Sequence, residues 1–163
     1  MARAGSSAPG TPATVALTAA GIAFTAHTYA HDPATTNYGL EAATALALDP
    51  DRVFKTLLVD AEGRLVVGIV PVTGMLDLKS LAAAVGAKRA VMADPAVAER
   101  KTGYVVGGIS PIGQKTALPT VLDETAALWE TIYVSGGRRG FDIELAPDDL
   151  LRITGGQLAD IAR

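Results

Sequence analysis

The chain has 163 residues, 49% hydrophobic and 19% charged, with a formal net charge of −3 and no cysteine. That size and composition fit one folded domain with a single core and exclude disorder for its body; the lack of cysteine excludes a disulfide framework, a thiolate metal site and a cysteine nucleophile. The acidic balance argues against tight stand-alone binding of nucleic acid, which rests on neutralising phosphates with a basic surplus, and no apolar run approaches the ~20 residues needed to span a bilayer.

Residues 1–12 lack the apolar centre of a signal peptide, so residues 1–10 are expected to form a flexible tail, residues 11–163 a single domain, and the cytoplasm to be its location. Thr11-Pro12 followed by Val15, Leu17 and Ala20 predicts a helix with threonine as N-cap, proline at the first position and Gly21 just past the end. Residues 22–29 alternate apolar and polar, as a half-buried strand does, until Asp32-Pro33 breaks the pattern. A second helix is expected over about 38–48. Residues 53–59 predict a strand buried on both faces, turned by Ala61-Glu62-Gly63 into a second strand over 64–70. Asp77 caps a helix over 78–85, and Asp94-Pro95 opens a short one reaching about Lys101. Strands follow over 120–122, 131–135 and 141–145, then a helix from Ala146-Pro147 to about Ile153; residues 158–162 suit either strand or helix. Several strand pairs are joined by turns too short for a parallel crossover, which predicts an α+β or mixed α/β fold.

Thr102-Gly103-Tyr104-Val105-Val106-Gly107-Gly108-Ile109-Ser110-Pro111-Ile112-Gly113-Gln114-Lys115 has no helical period and holds four glycines. Such a loop can aim several N–H groups at a carbonyl or phosphate oxygen. It matches neither a P-loop nor a dinucleotide fingerprint, and composition alone slightly favours a tight turn between two core strands. Lys55 is the sharpest single anomaly, because lysine is almost never buried without a partner. Either it reaches water past the sheet edge or it projects into a cleft toward an anion or a carbonyl. Asp142, between Phe141 and Ile143, is ordinarily a solvent-facing carboxylate; the functional alternative is a partner for Lys55 or for a substrate ammonium group. Arg138 and Arg139 are ordinary exposed turn charges unless RNA lies nearby. Lys79, Lys88, Arg89, Arg100 and Lys101 outnumber the acids around them and offer a local patch for RNA, although charge alone favours a solvated face. His27 and His31 have H-x-x-x-H spacing, but on a strand rather than on one helical face, which argues against a metal site. Ser110 and Ser135 lack a G-x-S-x-G elbow, and Tyr29 offers a hydroxyl.

Together, His27-Thr28-Tyr29-Ala30-His31-Asp32-Pro33, Val53-Phe54-Lys55-Thr56-Leu57, the segment 102–111 and Ile132-Tyr133-Val134-Ser135-Gly136-Gly137-Arg138-Arg139-Gly140-Phe141-Asp142-Ile143-Glu144 resemble YbaK-type Cys-tRNA(Pro) deacylases, free-standing relatives of the editing domain of bacterial prolyl-tRNA synthetase. The resemblance runs over about residues 11–163. It implies a curled, mixed and largely antiparallel sheet, a partly open barrel, with helices packed around it. It also implies hydrolysis of the ester of cysteine on mischarged tRNA(Pro), with Cys-tRNA(Cys) as a further candidate. By resemblance Lys55, Tyr29 and Asp142 carry the reaction, and Gly107, Gly108, Ser110 and Thr56 bind substrate. The substrate's own thiol would attack its ester, so no enzyme nucleophile, metal or cofactor is expected. The implied partners are the 3′ aminoacyl-adenosine end of mischarged tRNA and prolyl-tRNA synthetase in a ternary complex, with neither a membrane nor DNA. A deacylase for another charged tRNA such as Ala-tRNA(Pro), or a non-catalytic aminoacyl-adenosine or nucleotide-binding module, stays open.

Overall fold

A computed structural model of the protein describes residues 8–163; residues 1–7 of the expected tail lie outside the described residues. Helix α1 (Pro12–Ala19) begins where expected, with the Thr11 hydroxyl accepting from the Thr14 N–H and the Thr14 hydroxyl accepting in return from the Thr11 N–H. This reciprocal cap satisfies two donors that a helix start would otherwise leave open. Strand β1 (Thr25–Thr28) follows, then α2 (Tyr38–Ala45), capped by Asn37. Helix α2 stops three residues earlier than expected because Ala47 takes φ +55°, a conformation no right-handed helix can contain.

A 3-10 turn (Pro50–Arg52) leads into β2 (Phe54–Ala61) and β3 (Arg64–Pro71), paired antiparallel around Glu62-Gly63. Both turn residues have positive φ, the two-residue geometry whose twist matches the flanking strands. Then come α3 (Leu78–Ala84), a two-residue strand β4 (Val91–Met92) that the sequence pattern did not signal, and α4 (Pro95–Thr102). The glycine-rich segment is not a turn between two strands: it carries the chain from α4 to β5 (Thr120–Asp123). After a second 3-10 turn (Glu124–Leu128) come β6 (Ile132–Arg138), β7 (Phe141–Leu145), α5 (Pro147–Thr154) and β8 (Gln157–Ala159).

The fold is mixed α+β, as expected, but the strands divide into two sheets that do not close into a barrel. One is antiparallel, in the order β1-β7-β6; the other is ordered β4-β2-β3-β5-β8, with β5 parallel to both β3 and β8. A single bridge, Val53 to Tyr133, joins β2 to β6. One face of the small sheet (Ile132, Val134, Phe141, Ile143, Leu145) and one face of β2 (Phe54, Leu58) enter the same core, together with Leu17 of α1 and Leu150 of α5. A Leu- or Phe-to-Ala truncation in a packed core of this kind costs about 2–5 kcal/mol, so the two sheets are held in a fixed relation even though only one bridge joins them.

Candidate active site

Between β2 and the small sheet lies a cavity of about 580 Å³. Val53 and residues 54–58 of β2 line it without interruption, so it runs along the strand's edge rather than over one face. The pairing explains which groups face it. Val72 N–H donates to Val53 C=O at 2.8 Å, and main-chain groups alternate sides along an antiparallel ladder. The N–H and C=O of Thr56 therefore point away from β3. On that side β4 pairs only with Val59 and Asp60, which leaves the Thr56 stretch open to the cavity. The Thr56 hydroxyl is also buried without a hydrogen-bond partner.

Lys55 lines the same wall, half-buried. Among the described residues no carboxylate lies within 4 Å of its ammonium, and burial pulls its pKa below the usual lysine value. Opposite stands Asp142. The expectation of a solvent-facing carboxylate is corrected: Asp142 is 6% exposed and accepts no hydrogen bond from any described residue. Its neighbours Phe141 and Ile143 point into the core on the other face. The register pairs Asp142 with His27 of β1 and Ser135 of β6, placing it mid-sheet. Burial alone pushes its pKa up to about 7, since a carboxylate taken out of water without a compensating donor prefers to be neutral.

Tyr29 follows β1, its main-chain N–H bonded to Gly140 C=O at 2.9 Å. Burial, then the negative charges of Asp142 and Glu41, push its phenol up to about 12, so it remains a hydrogen-bond donor at neutral pH. Gly107 completes the wall. Gly108 N–H donates to Val105 C=O at 2.8 Å, and Gly107, third in that turn, has φ +90°, the value a type II turn demands.

The cavity thus gathers five of the seven residues singled out from the sequence: Lys55, Thr56, Tyr29, Asp142 and Gly107. Gly108 and Ser110 do not line it. Gly108 is buried, and a Cβ there would sit 2.6 Å from the Arg138 Cα, so it serves close packing against the β6–β7 turn. Ser110 is 0% exposed, its hydroxyl accepting from the Ile112 N–H. His27 and His31 lie outside the lining and pair with Glu144 at 2.9 Å and Glu41 at 2.8 Å.

Several contributors had not been singled out as site residues. Tyr38 and Asn37 bring the start of α2 to the cavity mouth, and Met92, Ala93 and Pro95 supply an apolar side. Glu41 holds the preceding loop against α2 by accepting from the Asp32 N–H at 2.7 Å as well as bonding His31. The N-cap Asn37 was the one signal that could have marked the mouth; β4 is too short to carry a periodicity. An apolar cleft with a few converging polar groups and perturbed titrations is the ordinary form of a small-molecule or substrate site.

Residues 32–153 match the profile of the aminoacyl-tRNA editing domain. Over 120 residues, 73% of each chain, the protein is 45% identical to a protein of Enterococcus faecalis, EbsC, described as a candidate Cys-tRNA(Pro)/Cys-tRNA(Cys) deacylase. It is 34% identical over 73 residues to a proline–tRNA ligase of Moorella thermoacetica, of which that stretch is only 13%. A crystal structure described as that of a candidate trans-editing enzyme for prolyl-tRNA synthetase superposes with a TM-score of 0.80 at 28% identity, covering 93% of this chain and 95% of the other.

Proposed function

The chain belongs to the aminoacyl-tRNA editing domain family, and we propose that it hydrolyses the ester of mischarged Cys-tRNA(Pro), and of Cys-tRNA(Cys), in trans, working beside prolyl-tRNA synthetase. The observation that carries this reading is that Lys55 and Asp142 line one cavity and that, among the described residues, neither has an ion-pair partner. A cysteinyl ester supplies what both lack. Its ammonium group meets Asp142, and its carbonyl and ribose oxygens meet Lys55.

No histidine lines the cavity beside Ser135 or Thr56, and the reading commits Asp142 to the substrate's ammonium group rather than to an enzyme hydroxyl. The substrate's thiol is the nucleophile in the proposed chemistry. As the thiol gives up its proton, its sulfur attacks the ester carbonyl carbon. A C–S bond forms, the C–O bond to the ribose breaks, and the ribose oxygen takes the proton that the thiol released as the tRNA leaves. Water then opens the thiolactone to cysteine. A thiol already tethered near its carbonyl needs chiefly orientation, which supplies several kcal/mol of the barrier. Tyr29 donates to the substrate, and the Thr56 edge and the Gly107 amide hold the aminoacyl group.

The test is release of cysteine from preformed Cys-tRNA(Pro) by wild type and Lys55→Ala, with Ala-tRNA(Pro) and Ser-tRNA(Pro) as thiol-free controls. The expected result is release that falls about 10²- to 10³-fold in the variant, a loss typical of removing a group that stabilises transition-state charge, with neither control cleaved. Cleavage of the alanyl ester would overturn the thiol mechanism, and cleavage of none would overturn the deacylase reading.

A further inference from the structure

The turn at Val106-Gly107 is held from outside by a residue that the sequence marks only as a surface charge. Arg139, in the β6–β7 turn, directs Nε at 3.0 Å and Nη2 at 2.6 Å to the Val106 carbonyl oxygen. Its guanidinium lies 5.0 Å from the centroid of the Tyr38 ring, and Tyr38 lines the cavity. Three segments far apart in sequence thus meet at one point. Gly107 is where they close: a Cβ there would lie 2.7 Å from Arg139 Nε and 2.8 Å from the Tyr38 ring.

The consequence follows from peptide geometry. The Val106–Gly107 peptide is trans, so its C=O and N–H point in opposite directions. With the carbonyl gripped on the Arg139 side, the Gly107 N–H is turned the other way. The remaining donors nearby are committed, Val106 N–H to Glu99 Oε2 at 2.8 Å and Gly108 N–H to Val105 C=O at 2.8 Å. Among the described residues the Gly107 N–H has no acceptor. A type II turn can convert to type I by rotating this one peptide unit, and that rotation would reverse both groups.

We propose that Arg139 is a positioning residue: its double hydrogen bond to Val106 C=O, braced on Tyr38, locks the turn so that the Gly107 amide stays presented to the substrate's ester carbonyl. The catalytic consequence rests on the deacylase reading above; the lock itself does not. Arginine suits the task and lysine does not, because only the planar fork delivers two N–H groups to one oxygen while lying flat on a ring. The exposed position means that the contact adds little to global stability.

The experiment compares wild type, Arg139→Ala and Arg139→Lys in two readouts: kcat and KM on preformed Cys-tRNA(Pro), and the Gly107 amide resonance in ¹⁵N-labelled protein. Both variants are expected to melt within a few degrees of wild type. In Arg139→Ala, kcat falls about 10- to 100-fold, somewhat less than outright loss of a carbonyl-directed donor, with KM nearly unchanged. Lysine fails to rescue it, and the Gly107 resonance shifts or broadens in both variants. A raised KM with unchanged kcat would overturn the proposal and make Arg139 a phosphate contact. Full rescue by lysine, or an unmoved Gly107 resonance, would overturn it as well. If wild type cleaves no ester, the deacylase reading fails while the resonance arm still decides whether the lock exists.

Discussion

Asp123, at the end of β5, is 0% exposed, and its oxygens accept from the Ile161, Ala162 and Thr125 main-chain N–H groups and from the Thr125 hydroxyl. Asp142, on β7, the central strand of the small sheet, is 6% exposed and accepts from no described residue. Both carboxylates are buried in the same small domain, under opposite conditions. A buried carboxylate with its lone pairs filled is an anchor, and here it ties the segment 161–162 to β5. One left empty in a cavity is held at a cost in stability, and its pKa of about 7 records that cost. The difference between the two regions separates what this protein uses to fold from what it holds ready for a ligand.

Breaking the anchor is expected to give the largest change in stability. Asp123→Ala strands the Ile161 and Ala162 amides and removes the cap on Thr125, at a cost of roughly 3–5 kcal/mol. Urea unfolding followed by fluorescence of Trp129 reads this. Turnover per folded molecule should stay near wild type, because none of the Asp123 contacts reaches the cavity.

Asp142→Asn should do the reverse. The folded pKa of about 7 lies above the ordinary value of 3.8, so the folded state holds a proton that the unfolded chain gives up. The contribution of Asp142 is fully present below about pH 4 and is lost as pH rises toward and through 7. The amide removes that loss, stabilising the protein on the order of 2–4 kcal/mol at pH 8 and by little at pH 4. Thermal melts of wild type and variant across this range check it. Deacylation should collapse in the same variant, since a neutral amide cannot pair with the substrate ammonium group. The smallest effect belongs to Tyr29→Phe, which removes a donor and no charge: about 1–2 kcal/mol of transition-state stabilisation, or roughly tenfold in kcat/KM, with little change in melting temperature.

The same contrast marks how far the sequence could be read. Caps, breakers and alternation placed the helices and most strands, because Thr11-Pro12, Asp94-Pro95 and Glu62-Gly63 act locally. Division into two sheets was not legible, since it depends on the backbones of the two sheets being bridged only at Val53 and Tyr133 while their side chains share a core, a long-range fact. Strand β4 has two residues, too few for any period. At the site, Lys55 stood out because a charge in an apolar strand contradicts its surroundings. Asp142 alternates with Phe141 and Ile143 as any surface carboxylate would; only the cavity tells it apart. Arg139 gave no sign of its role, because the carbonyl it holds lies 33 residues away in sequence. Ser110, drawn from the same glycine-rich segment as Gly107, proved to be buried outside the cavity.

The ionisation of Asp142 is the property on which the chemistry of the cavity turns. Its carboxyl carbon can be followed by ¹³C resonance against pH, first in the free protein and then with a saturating, non-hydrolysable amide analogue of cysteinyl-adenosine. The expected midpoint is near 7 in the free protein and falls by about one or more pH units when the ligand's ammonium group is bound. A midpoint near 4 in the free protein, or one near 7 that the ligand leaves unmoved, would contradict the role proposed for Asp142.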